Sequence, residues 1–153
     1  MNFRPSVLIA SGGSAALLLG ALGFQFIGGL HPCHLCILQR WPHLAAVLIG
    51  VAALATGKRV LALPGALAAA ITAGIGIYHT GVERGIFEGP TTCTSSDPGS
   101  ISTGELFDQI MTAPLIRCDE VAWSLGGLSM ASWNAIASLV LVGVWLYAYT
   151  RRA

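Results

Sequence analysis

Long uncharged apolar runs alternate with short polar breaks along the chain. Between Arg4 and Arg40 no residue carries a charge, and Val7 to Leu30 alone exceeds the ~20 residues that a helix needs to cross a hydrocarbon core of about 30 Å. A second uncharged run, Trp41 to Gly57, reaches spanning length when it begins near Leu35, with Arg40 snorkelling to the interface. The third runs from Val60 to His79, after the break Thr56-Gly57-Lys58-Arg59. The fourth lies within the uncharged stretch Val121 to Thr150, from about Ala131, with Trp133 at one interface and Trp145, Tyr147 and Tyr149 toward the other. In lipid each backbone polar group must be satisfied within its own segment, so the spans are helices. The pattern predicts an all-α membrane protein, a four-helix transmembrane bundle with spans at about 7–30, 36–57, 60–79 and 131–150.

Composition supports this reading. The 153 residues are 54% hydrophobic and only 10% charged, far more apolar than a soluble domain of this length. A formal net charge of +1 leaves no basic stripe for a nucleic-acid partner. The distribution of charge carries more information than its sum. Arg4, Lys58, Arg59, Arg151 and Arg152 fall on one side of the four spans, whereas Arg40, Arg84 and Arg117 and every acidic residue fall on the other. Lys and Arg in short loops stay cytoplasmic, so both termini are expected there, and the loops at about 31–40 and 80–122 face outward. Span one reads as a retained anchor rather than a cleaved signal peptide, because three further spans follow and no strong cleavage site does. No repeat or linker divides residues 1–153, which read as one membrane domain.

Two finer expectations follow. Ala66, Ala70 and Gly74 on the third span, and Ala16 and Gly20 on the first, have the spacing of close helix contacts. Within the Pro-, Gly- and Ser-rich second loop, Ser102 and Glu105 form a capping box ahead of Leu106, Phe107, Ile110 and Met111. That short helix either lies flat in the membrane interface or packs on the ends of the bundle.

The chain's chemistry gathers in its cysteines. Cys33, Cys36, Cys93 and Cys118 all fall outside the uncharged spans and on the outward side, where an oxidising compartment lets disulfides persist. Haem attachment to "HPCHLCILQRWPH" fails because Ile37 follows Cys36 where a histidine is required. A zinc or copper site drawing on His31, His34 and His43 lacks a second ligand pair, so no metal is expected, and a purely structural disulfide remains a bland alternative. The leading reading is a working dithiol. Two intervening residues bring the sulfurs of Cys33 and Cys36 within disulfide range, the first turn of a helix favours a thiolate at Cys36, and Arg40 sits one turn further along the same face. His31, His34 and His43 read as interface residues, and His79, ending the third span in "GIYHTGVE", reads as an interfacial cap.

With C-x-x-C-x-x-x-R opening span two, two separated cysteines in the second outer loop and "CDEVAWSLGGLSMASWN" leading into span four, the chain resembles the disulfide bond formation protein B (DsbB) family from span one to span four. The resemblance implies a quinone-dependent thiol oxidase of the bacterial inner membrane. Such a protein re-oxidises a periplasmic DsbA-like thioredoxin-fold protein and passes the electrons to a membrane quinone, ubiquinone or menaquinone. It further implies that Cys93 forms the mixed disulfide with the partner and that Cys118 is its companion. Electrons would then reach Cys33 and Cys36, with a Cys33–Cys118 disulfide as an intermediate. Cys36 would face the quinone, Arg40 would polarise thiolate and quinone, and His79 matches a position associated with quinone binding. Since the partner is itself a strong oxidant, at ~−120 mV, a more oxidising lipid-soluble sink is chemically apt. "TSSDPGS" in the second loop aligns with no family pattern. The competing reading is a non-catalytic membrane metal-binding or transport protein that uses the Cys/His cluster.

Overall fold

A computed structural model describes residues 2–90 and 117–151. Helix α1 covers Phe3–Phe26, α2 His34–Thr56, α3 Ala62–Glu83 and α4 Met130–Thr150, and a single 3-10 turn, Arg59–Leu61, leads into α3. All four helices are long and apolar enough to cross a membrane, α3 together with its leading turn. Between Cys118 and α4 the chain forms a small hairpin. Strand β1 (Ser124–Leu125) pairs antiparallel with β2 (Leu128–Ser129) across Gly126 and Gly127. Both glycines have φ near +60 to +80°, which a two-residue turn of this hand requires. Cys93 and the segment expected to form an interfacial helix, Ile101 to Met111, lie outside the described residues.

The helix ends differ from the sequence expectation by a turn or less, with identifiable causes. Helix α1 starts at Phe3 rather than near Val7: Phe3 is fully buried, and the Arg4 guanidinium donates to the carbonyl of Leu54 at 3.3 Å, near the end of α2. Gly57, at φ +67°, ends α2 in the left-handed conformation that few other residues adopt. Helix α3 runs on to Glu83, so His79 lies one turn inside the helix and not at its end.

The helices form a ring in which α1 packs on α2 and α4, α3 packs on α2 and α4, and α1 and α3 barely touch. Small side chains set the approach. A Cβ on Gly50 would come within 2.3 Å of the Ser11 Cβ on α1, and one on Gly65 within 2.7 Å of the Trp145 indole on α4. On α3 the contact stripe is Ala62, Gly65, Ala66, Ala69, Ala73 and Gly76, all buried. Ala70 and Gly74 point outward instead, as do Ala16 and Gly20 on α1, which corrects the expected registers. Trp145 is corrected too. It is 0% exposed and packs with Phe3, Val7 and Leu141 in the core at the end that carries both termini.

Polarity runs inside out relative to a soluble bundle. Leu8, Leu19, Leu48, Leu67 and Val140 are more than half exposed, while Gln39, His43, Thr72 and His79 are buried among the helices. An apolar exterior is what a lipid solvent selects, and intramembrane polar side chains turn toward one another.

Candidate active site

The site is built at the first turn of α2, at the end of the bundle opposite the chain termini. Cys33 is the N-cap of that helix, in an extended conformation, and its Sγ accepts the backbone N–H of Cys36 at 3.3 Å. A thiol thus fills the capping place normally taken by Ser, Thr or Asp. The cap brings the Sγ atoms of Cys33 and Cys36 to 2.9 Å, and both are free thiols. Hydrogen bonding to the Cys36 sulfur and burial push the Cys33 thiol above the ordinary thiol range. Cys118, also buried and free, packs with Cys33, Leu35 and Val82 and so sits against the dithiol. On either side of it, Arg117 and Asp119 form a bidentate pair of 3.0 and 2.7 Å. That pair holds the Asp119 carboxyl below its usual range, but it is exposed to solvent, where such pairs contribute little to stability.

Beneath the sulfurs runs a continuous polar chain from α3 through α2 to α4. His79 Nε2 lies 3.6 Å from Cys33 Sγ and 3.9 Å from the Glu83 carboxylate. Its Nδ1 lies 2.9 Å from the Gln39 amide nitrogen, which also donates to the Leu35 carbonyl at 3.2 Å. The Leu35 carbonyl can only accept, so it fixes the Gln39 amide with nitrogen toward His79. Gln39 Oε1 then accepts from Asn134 Nδ2 at 2.6 Å, and Asn134 Oδ1 faces His43 Nε2 at 2.9 Å. One backbone carbonyl therefore sets both neutral imidazoles: each carries its proton on Nε2, with His79 aiming it at the Cys33 sulfur. Glu83 and Ser129, the N-cap of α4, are hydrogen-bonded, and Ser132 and Thr80 join at 3.1 Å, which locks α3 to α4 beside the thiols.

Arg40 does not snorkel outward. Its guanidinium crosses to α1, donating to the Gln25 side chain and, at 3.4 Å, to the Ala21 carbonyl. Cys36, Arg40 and His43 line one cavity of about 110 Å³, together with Phe24 and Trp123, whose rings meet at 5.1 Å. Two buried polar atoms on its lining residues have no protein partner: the N–H at Arg40 Nε, a donor, and His43 Nδ1, an acceptor.

The cavity-lining set thus includes Cys33, Cys36, Arg40 and His79 from the sequence reading, with Cys118 buried against the dithiol. His31 and His34 are exposed, and His31 is also among the residues that line the cavity. His43 is not an interface residue: it is 3% exposed and hydrogen-bonded inside the bundle. Gln39, His43, Thr72, Glu83 and Asn134 were not singled out by the sequence reading for this site. A signal existed, since Cys36, Gln39, Arg40 and His43 stand at i, i+3, i+4 and i+7, the spacing of a single helix face.

This is a four-helix, multi-pass membrane protein with a dithiol capping one of its helices. The family model "Disulfide bond formation protein DsbB" matches residues 3–148. The chain is 36% identical over 138 residues to disulfide bond formation protein B of Methylococcus capsulatus (83% of this chain, 82% of that protein), and 34% identical over 153 residues to that of Shewanella sp. strain MR-4 (94% and 86%). Its namesake in Saccharophagus degradans is 28% identical over 159 residues, covering 99% of this chain and 96% of its own length. No solved structure gives a significant match. The chain belongs to the DsbB family and is a membrane disulfide oxidoreductase of disulfide bond formation.

Proposed function

We propose that the protein is a quinone-dependent thiol oxidase of the bacterial inner membrane that re-oxidises a periplasmic DsbA-like thioredoxin-fold protein, with both termini cytoplasmic. The observation that carries this is the cavity of about 110 Å³ whose lining includes Cys33, Cys36 and Arg40, the last with a buried Nε–H that has no protein partner. The cavity is smaller than the engineered one of about 150 Å³ that benzene occupies, but it is open at one side, so a ring enters it in part, and a guanidinium donor suits a carbonyl oxygen. Bound in that place, a quinone supplies a two-electron, two-proton acceptor.

This chain's residues divide the work. A partner thiolate attacks Cys93 of a Cys93–Cys118 disulfide, forming the mixed disulfide and displacing Cys118 as thiolate; the partner's second thiol then closes the partner's own disulfide and leaves Cys93 reduced. The placing of Cys118 and Cys33 in one buried cluster supports the next exchange, attack of the Cys118 thiolate on a Cys33–Cys36 disulfide to give Cys33–Cys118 and leave Cys36 as the free sulfur. Arg40, four residues on, compensates negative charge at Cys36 and at a ring oxygen. The proton on His79 Nε2, held toward Cys33, stabilises that sulfur whenever it leaves a disulfide as thiolate.

Convergence of Cys33, Cys36 and His79 donor atoms within 4.8 Å of one another gives a metal reading its specific support. The hydrogen-bond chain argues against it. A metal would need a bare His79 Nε2 with the proton on Nδ1, but Nδ1 faces the Gln39 amide donor, which the Leu35 carbonyl cannot release without losing its own partner.

Reconstitution with a short-chain quinone and a reduced thioredoxin-fold dithiol, followed by quinone absorbance, tests the function. Turnover is expected in the intact protein, with Cys93→Ser leaving the partner reduced. Stoichiometric metal with four permanently reduced cysteines and no quinone consumption would establish the metal protein instead. Arg40→Ala should raise the quinone KM about tenfold or more, as loss of a charged hydrogen bond in a buried site does, with membrane insertion intact. Unchanged turnover at limiting quinone would remove Arg40 from the site.

A further inference from the structure

His43 has a place in the cavity that the dithiol reading leaves unused. It lies nine residues into α2, roughly 14 Å along the axis from the helix start at 1.5 Å per residue. The side chain is 3% exposed, lines the cavity, and is held by Asn134 Oδ1 at 2.9 Å and Thr72 Oγ1 at 3.3 Å, both on Nε2. Thr72 in turn donates to the Gln39 carbonyl and accepts from Asn134 Nδ2, each at 3.2 Å, so its hydroxyl has no second proton to offer. With Nε2 carrying the proton, Nδ1 is a bare lone pair, buried and without a partner. An unmet buried acceptor costs free energy unless a ligand meets it.

We propose that His43 Nδ1 accepts a hydrogen bond from a ring hydroxyl in this cavity, so that the site holds a quinol in preference to the corresponding quinone. The proposal rests on the quinone reading above and deepens it. A quinone has acceptors only, and these suit Arg40 Nε but leave His43 Nδ1 unmet; a quinol adds the donors that Nδ1 lacks. Oxidation of Cys33–SH and Cys36–SH to one S–S bond releases two electrons and two protons, which convert the quinone carbonyls to hydroxyls, so no further reductant is needed. Favouring the reduced ring draws electrons out of the dithiol. Gln39 and Asn134 are positioning residues in this scheme, since they fix which His43 nitrogen is bare.

The test uses the full-length protein in detergent with decylubiquinone and its quinol. In uniformly folded wild type carrying 15N-histidine, the His43 Nδ1 resonance should move on addition of the quinol and stay on addition of the quinone. By equilibrium binding, His43→Phe, which keeps the ring shape but has no acceptor, should weaken the quinol about tenfold, the loss of one such hydrogen bond, and the quinone less than twofold. His43→Gln, whose amide can donate to Asn134 and offer its oxygen in place of Nδ1, should bind the quinol more tightly than His43→Phe does. A resonance that ignores the quinol, or a His43→Phe change that weakens both ligands equally or neither, would overturn the proposal while leaving the oxidase reading standing. Absence of any quinone or quinol binding by the wild type would overturn both.

Discussion

Cys36→Ser should bring quinone-coupled oxidation of a reduced thioredoxin-fold substrate down to background, a fall of roughly 10³-fold or more. A hydroxyl neither forms the S–S bond nor ionises under the same conditions. The change is nearly isosteric, and the backbone N–H of residue 36, which binds the Cys33 cap, is retained. Helix α2 therefore keeps its start, and thermal stability in detergent should stay close to that of the parent. This combination separates a redox role from a bracing one. Were Cys33 and Cys36 only a structural link, loss of the sulfur would lower stability and leave turnover alone. The measurement is paired: quinone absorbance for turnover, and the unfolding midpoint of the same sample.

The largest effect on the fold is expected from Trp145→Ala. The indole is fully buried, spans the contact between α3 and α4, and lies against Gly65 so closely that a single added Cβ would meet its ring at 2.7 Å. Truncation leaves a cavity that helix backbones locked by small side chains cannot close, with a cost of about 3–5 kcal/mol. For a chain of this size that corresponds to a drop of roughly 10 °C in the thermal midpoint. Since the core around Phe3 and Trp145 lies at the opposite end of the bundle from the thiols, the surviving folded fraction should retain its quinone KM. A midpoint within about 2 °C of the parent, on the same scale, would show that this core contributes little in lipid or detergent.

Much of the architecture was legible in the order of residues. Four apolar runs of about spanning length can do little in lipid except form helices, and the break read at Thr56-Gly57-Lys58-Arg59 contains Gly57, whose positive φ ends α2; the small hairpin at Gly126-Gly127 was not read from the sequence. The C-x-x-C and Arg40 pattern located the thiols, because reactivity of this kind depends on local spacing. Which helix faces meet was not legible. Ala66, Ala70 and Gly74 recur every four residues, as Gly65, Ala69 and Ala73 do, and nothing local shows that the second row packs along its length while Ala70 and Gly74 of the first meet lipid. Trp145 was misplaced for a related reason: an aromatic near a helix end suits an interface, and only the gap opposite Gly65 draws it inward.

The polar chain under the dithiol marks the same division. By itself the sequence determined a membrane bundle with a thiol pair at one helix start, since hydrophobic length and local spacing act within a single segment. Only the tertiary structure decided that Gln39, His43, Thr72, His79 and Asn134, drawn from three helices, would satisfy one another, and that the Leu35 carbonyl would dictate which nitrogen of each imidazole stays bare. The physical reason is that a buried hydrogen bond is defined by partners brought together across the bundle, and the pairing of donors with acceptors exists only once the helices have packed.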